Sequence, residues 1–355
     1  GPCMAVAGEF LCGVIEGFYG RQWSYPLREA YAAFLAASRL NTYIYCPKGD
    51  RRLRGEWQLP WPEDQFKQLK ALAAVYRRSG VLFGVGLSPV ELYRDYGPRE
   101  RERLRRKLDQ IGTLESPLLA ILFDDMPGDL DALAARQAEI VADVQRWCPD
   151  VRLLVCPTYY SFDPALERYF GPMPAGYWPD LGAALAADVD IFWTGNLVCS
   201  PAVGVDDIAA IDEQLGRPVI LWDNYPVNDG EERSRRLYLE PLGERDPGLR
   251  DRLRGHLCNP MNQGLLSLPA LLGLADLYGD AAAAREWTIH QLGEGTWRQL
   301  QTNRQEFVVE GLAGMGSERC SELAQCYGAL PGAAAAEVAA WLRGEYAWDP
   351  ACLTG

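Results

Sequence analysis

The chain has 355 residues, 48% of them hydrophobic, and a formal net charge of −13. That length supports one large domain plus a smaller one, and that apolar content excludes wholesale disorder. The acidic balance excludes a phosphate-backbone binder, which needs a basic face, so nucleic acid is not an expected partner; no stretch reads as a membrane span or a secretory signal, so neither is a membrane.

Short apolar runs alternate with helix-like stretches from the start. Leu11–Ile15 reads as a strand and Leu27–Ser38 as the helix after it. Thr42–Cys46 is followed by Asp64–Ser79, Val81–Leu87 by Arg99–Leu114, and Leu118–Phe123 by Asp131–Trp147. Val151–Cys156 and Val189–Trp193 come next, then a helix over Val205–Leu215, then Val219–Trp222 and, more weakly, Gly255–Cys258. Continuous β-branched and aromatic runs alternating with helices read as parallel strands buried on both faces. Eight of them fit a closed (β/α)₈ barrel, an α/β fold, with an open doubly wound sheet as the alternative. Gly84-Val85-Gly86 lies inside a strand and lacks the third glycine of a dinucleotide loop.

The pattern turns helical near residue 270. Leu268–Tyr278, Ala281–Leu292, Thr296–Glu306, Ser317–Tyr327 and Ala333–Tyr346 read as helices, with breaks at Gly311–Gly314 and Pro331-Gly332. The expected division is a catalytic barrel over 1–269 and a helical appendage over 270–355. Gly1-Pro2 has the look of a tag-cleavage remnant.

Cys12, Cys46, Cys156, Cys199 and Cys258 lie in or beside apolar runs, where cysteine behaves as a small buried hydrophobe. With no CxxC pair, a reducing cytoplasm is the expected compartment. Two histidines, His256 and His290, supply a metal site or a serine triad poorly. No metal and no cofactor are expected, and both histidines read as structural.

Barrel chemistry sits at the carboxyl ends of the strands. There the sequence offers Glu16 to Arg21, Pro47-Lys48, Ser88-Pro89, Asp124-Asp125, Pro157 to Tyr160, Trp193 to Asn196, Trp222 to Asn224 with Asn228-Asp229, and Asn259-Pro260. Taken singly, Lys48 reads as a solvated charge, Trp193, Trp222, Tyr19 and Tyr160 as packing, and the two acids as caps for the helix near Asp131. Polar clusters recurring at strand after strand on one end instead suit a neutral polyhydroxylated ligand. Adjacent acids, with Cα atoms ~3.8 Å apart, supply an acid and a base within reach of one small molecule, as glycoside hydrolysis requires.

The motifs GVIEGFYGRQW (13–23), NTYIYCPK (41–48), LFDDMP (122–127), CPTYY (156–160), IFWTG (191–195), WDNYPVND (222–229) and NP (259–260) together resemble glycoside hydrolase family 84, the O-GlcNAc hydrolases and bacterial β-N-acetylglucosaminidases. The resemblance implies a (β/α)₈ barrel and a retaining, substrate-assisted mechanism through an oxazoline, acting on β-GlcNAc carried by proteins or glycosides. It implies that Asp124 orients the acetamide and Asp125 is the general acid and base. It further implies that Tyr160, Asn224 and Trp222 form the acetamide pocket, that Gly17, Lys48, Asp229 and Asn259 bind the sugar hydroxyls, and that Tyr19 is a further substrate-binding residue. The same chemistry on a polymer such as hyaluronan fragments, a non-catalytic GlcNAc-binding protein, and a homodimer stay open. Gly49, Tyr159, Ser161, Asn196, Gly230 and Met261 depart from the family pattern and are expected at the rim, where they bear on the choice of aglycone.

Overall fold

The computed structural model describes residues 6–351; Gly1-Pro2 lies outside them. The eight apolar runs are eight parallel strands: β1 (Leu11–Glu16), β2 (Thr42–Tyr45), β3 (Leu82–Leu87), β4 (Leu118–Leu122), β5 (Arg152–Cys156), β6 (Asp190–Trp193), β7 (Ile220–Asp223) and β8 (Gly255–Cys258). They close in chain order, β1 pairing with both β2 and β8, so the open-sheet alternative is set aside. Every strand residue is buried except Leu82, which is half-buried. This two-sided burial is what continuous apolar runs specify. Gly86 has a steric role in β3, since a Cβ there would stand 2.7 Å from Cys46 Cβ.

The outer helices bury one stripe each. In Glu63–Ser79 the inward residues are Leu69, Leu72, Ala73 and Tyr76, spaced by three and four. Two connections differ from the regular alternation. Between β5 and β6 run two short helices, Ala165–Phe170 and Tyr177–Ala184, separated by Gly171, Pro172 and Pro174. Between β7 and β8 there is no α-helix, only the single turns Arg233–Arg235 and Pro247–Asp251; prolines 226, 241 and 247 and glycines 230, 243 and 248 interrupt helical hydrogen bonding.

Leu268–Tyr278 runs as one helix through residues 269 and 270 and packs on β1. Ala281–Leu292, Glu294–Gln305, Gly311–Gly328 and Ala333–Leu342 follow. The break expected at 311–314 falls on Gly311, where φ is 69° and ψ −180°, just after the wide helical turn Glu306–Glu310; the helix then resumes and is interrupted again at Gly316, where φ is 82°. These helices dock on the barrel at the β7–β8 connection and at the segment after β8: Trp341 Nε1 donates to Ser234 O at 3.0 Å, and Glu337 accepts from Leu265 N–H at 3.1 Å.

Candidate active site

All ten side chains or backbones singled out from the sequence line one pocket at the carboxyl end of the barrel: Gly17, Tyr19, Lys48, Asp124, Asp125, Tyr160, Trp222, Asn224, Asp229 and Asn259. Its volume is about 200 Å³. Cys156, Thr194, Val198, Cys199 and Val227 complete its wall.

β4 ends at Leu122, so Phe123 and the two acids leave the sheet over the barrel mouth. The acids cap no helix; the next one begins at Leu133 after Ala132, without a side-chain cap. Their environments differ although they are neighbours. Asp124 is buried, and Lys48 Nζ donates to its Oδ2 at 2.6 Å. Burial alone would lower the Lys48 pKa, but the charges of Asp124 and Asp125 outweigh it and hold it raised, so the ammonium persists. Asp124 Oδ1 is buried and has no hydrogen-bond partner within the protein. Such an acceptor is costly unless a ligand supplies its donor.

Asp125 sits in the left-handed region, at φ 56°, which few non-glycine residues adopt. Tyr19 Oη donates to Asp125 Oδ2 at 2.8 Å, and Tyr160 Oη to Oδ1 at 3.4 Å. Burial and then the Asp125 charge push both phenols well above their ordinary range, so both remain donors. Asp229 accepts from Tyr19 N–H at 2.8 Å. Burial pushes its pKa up to about 6, opposed by that hydrogen bond and reinforced by the charge of Asp125.

The opposite wall is a closed amide network. Trp222 Nε1 and Asn259 Nδ2 both donate to Asn224 Oδ1, at 2.9 and 3.1 Å, and Gly17 N donates to Asn259 Oδ1 at 3.2 Å. Asn224 Nδ2 donates to Val198 O at 2.8 Å. The Asn224 amide is thus engaged at both ends and holds the Trp222 indole in place. A Cβ on Gly17 would come within 2.8 Å of that indole.

Several rim expectations are corrected. Glu16 is fully buried outside the pocket, in a two-pronged pair with Arg28 at 2.9 and 2.7 Å. Trp193 is buried packing against Phe162 and Trp178 and does not line the pocket. Tyr159 faces away from it, its Oη on Gly171 O at 2.7 Å, pinning the β5–β6 connection. Met261 is fully buried, and Ser161 is buried with its Oγ on Gly195 O at 2.7 Å. Cys199, expected in a buried run, is half-buried in the pocket wall. His256 is structural: it lies with Cys258 and Asp223, and its Nε2 is 2.8 Å from Asp223 Oδ2. Both Asp223 oxygens accept from Arg245 at 2.8 Å. Burial raises the Asp223 pKa, but these hydrogen bonds prevail and hold it at about 2. A guanidinium seated on this acid repels a metal cation, so the donor set does not fit one.

Val198 and Arg54 were not singled out from the sequence, and Cys199 was read there only as a small hydrophobe. Apolar loop residues carry no chemical signal, and Arg54 stands in a run of arginines whose members Arg51 and Arg52 pair with Glu56.

Comparison with known proteins agrees with this geometry. The family model described as NAGidase, beta-N-acetylglucosaminidase, matches residues 12–301. The chain is 31% identical over 281 residues to the protein O-GlcNAcases of Rattus norvegicus and Mus musculus, covering 77% of this chain. It spans only 30% of their length. A mutant of the Thermobaculum terrenum O-GlcNAc hydrolase superposes with a TM-score of 0.75 at 28% identity, covering 95% of this chain and 81% of that one. CpGH84B shares the fold, with a TM-score of 0.71 at 21% identity over 90% of this chain and 62% of its own. The chain therefore belongs to the β-N-acetylglucosaminidase family of glycoside hydrolases, family 84.

Proposed function

We propose that this chain is a retaining β-N-acetylglucosaminidase that removes β-linked GlcNAc from proteins or glycosides by substrate-assisted catalysis. One observation carries the reading: Asp124, fixed on one oxygen by Lys48, keeps its buried Oδ1 without a protein partner in the pocket. An acetamide N–H is a donor of the right kind for it. Drawing on that proton makes the acetamide oxygen a better nucleophile and holds it in line. The acetamide oxygen bonds to the anomeric carbon as the glycosidic C–O bond breaks; the N–H proton passes to Asp124, leaving an oxazoline, while a proton passes from Asp125 to the departing oxygen. Water then adds to the same carbon and gives a proton to Asp125, as the bond from that carbon to the oxazoline oxygen breaks and Asp124 returns the proton to nitrogen.

The remaining roles are those the family resemblance implies, and the shared pocket supports them. Trp222 walls the acetamide side, with Asn224 and Tyr160 supporting it; Lys48, Asp229, Asn259 and the backbone of Gly17 face the hydroxyls. A volume of about 200 Å³ suits a single sugar, being smaller than the ~300–1,000 Å³ of drug-sized sites. The barrel carries the catalysis and the later helices buttress it. The reading includes a reducing cytoplasm, supported by the eight free cysteines among the described residues; no described helix is long and apolar enough to cross a membrane. Turnover of an aryl β-GlcNAc glycoside, followed by comparison of GlcNAc release from modified proteins and from oligosaccharides, tests it. Failure to release GlcNAc from any of the three would refute it.

A further inference from the structure

Arg54 follows the Arg51–Leu53 turn in the loop after β2. It is only 9% exposed, yet no carboxylate lies within ion-pair distance of it among the described residues, and its Nε has no hydrogen-bond partner. A guanidinium left unpaired at that depth is costly. Its contacts all lead to one residue. Nη2 donates to the backbone carbonyl of Asp125 at 3.0 Å. The guanidinium carbon stands 5.4 Å from the centre of the Tyr19 ring, whose hydroxyl donates to Asp125 Oδ2.

The loop is a firm mount. Asp50 accepts from Arg52 N–H, Tyr45 Oη and Trp61 Nε1 at 3.0, 2.6 and 3.0 Å. Ser88 N–H donates to Leu53 O at 2.7 Å, tying the loop to the end of β3. Arg54 therefore grips Asp125 where its backbone takes the left-handed turn, a conformation that a non-glycine residue keeps only when its surroundings enforce it.

We propose that Arg54 is a positioning residue for the general acid: it fixes the turn that aims Asp125, and its charge stabilises the carboxylate formed as the proton leaves. This rests on the reading of Asp125 given above. The charge acts at close range through a water-poor wall and through Tyr19, whose ring faces the cation and whose hydroxyl holds the carboxylate. Negative charge develops on Asp125 to the extent that the leaving group needs a proton. The contribution of Arg54 must therefore grow as the leaving group becomes poorer.

The test is kcat/KM for an activated aryl β-GlcNAc glycoside and an alkyl one in wild type, Arg54→Met and Arg54→Lys. Arg54→Met keeps the apolar stem and removes the charge. It is expected to lose about tenfold or more in activity on the alkyl glycoside beyond its loss on the aryl one. Arg54→Lys, which restores a cation, recovers part of that difference. The affinity of a thiazoline inhibitor, which reports the sugar pocket, stays within about twofold in both variants. Equal losses on the two glycosides, or a Lys variant no better than Met, overturn the proposal while leaving the function standing. A wild type that cleaves neither glycoside overturns the functional reading and this inference together.

Discussion

Gly17→Ala probes the close contact between Gly17 and Trp222 in the proposed sugar pocket. The added Cβ would lie 2.8 and 3.1 Å from Trp222 Cζ2 and Cη2, where carbon atoms prefer roughly 3.5–4.0 Å. The indole has little room to yield. Its Nε1 is tied to Asn224 Oδ1 at 2.9 Å, and its rings meet Phe192 edge-on with centroids 5.3 Å apart. Asn224 is tied in turn to Asn259, which receives Gly17 N–H, so a displaced indole disturbs the whole wall. Overpacking of this kind costs about 1–3 kcal/mol. Borne by the ligand-binding geometry, that is a loss of about five- to 150-fold in inhibitor affinity. Calorimetric titration of Gly17→Ala with a thiazoline inhibitor reads it, with the melting temperature as a parallel record. Wild-type affinity would refute the reasoning, for it would mean that the indole yields freely or lies outside the binding wall.

Further outcomes are expected elsewhere. Asp125→Asn should lose up to about 10²–10⁴-fold on poor leaving groups and far less on activated aryl ones; equal losses across a leaving-group series would remove its role as the acid. Asp229→Ala should weaken GlcNAc-derived inhibitors by about tenfold or more, because a charged acceptor for hydroxyls is lost; unchanged binding would make Asp229 a mere cap for the Tyr19 backbone. Burial raises the Glu337 pKa from 4.5 to about 8 against the hydrogen bonds from Leu265 and Leu266. Between those values the folded chain holds a proton that the unfolded chain has released, so stability falls as pH rises through that window and levels off above about pH 8. Glu337→Gln should flatten the fall in melting temperature between about pH 5 and about pH 8.5; an identical fall in variant and wild type would contradict this.

The barrel was legible because two-sided burial forces a strand into an apolar run, a mark that β1 to β7 left clearly and β8, interrupted by His256, only weakly. The β5–β6 connection was less so: Ala165–Phe170 and Tyr177–Ala184 are too short to show a helical period. The pocket was legible where polar residues directly follow strands, as at Lys48 and Asp124. Alternation along a strand is what misled at Glu16, which ends β1 on the helix side, paired with Arg28. Trp193 and Met261 look like rim residues by position, yet their large side chains turn into the core. Arg54 was hidden because its importance lies in what it touches across 71 residues of chain, which no local pattern records.

The rate across a series of substrates whose N-acetyl group carries none, one, two or three fluorines tests the central claim most directly. Fluorine withdraws electrons from the acetamide oxygen while barely changing the shape of the group. If that oxygen is the nucleophile, oriented by Asp124, kcat/KM falls steadily along the series, and a thiazoline mimic of the oxazoline binds far more tightly than GlcNAc. If Asp124 instead attacks the sugar itself, as in ordinary retaining enzymes, the series is flat and mass spectrometry finds a glycosyl group trapped on Asp124. A flat series with that adduct would contradict substrate-assisted catalysis in this chain.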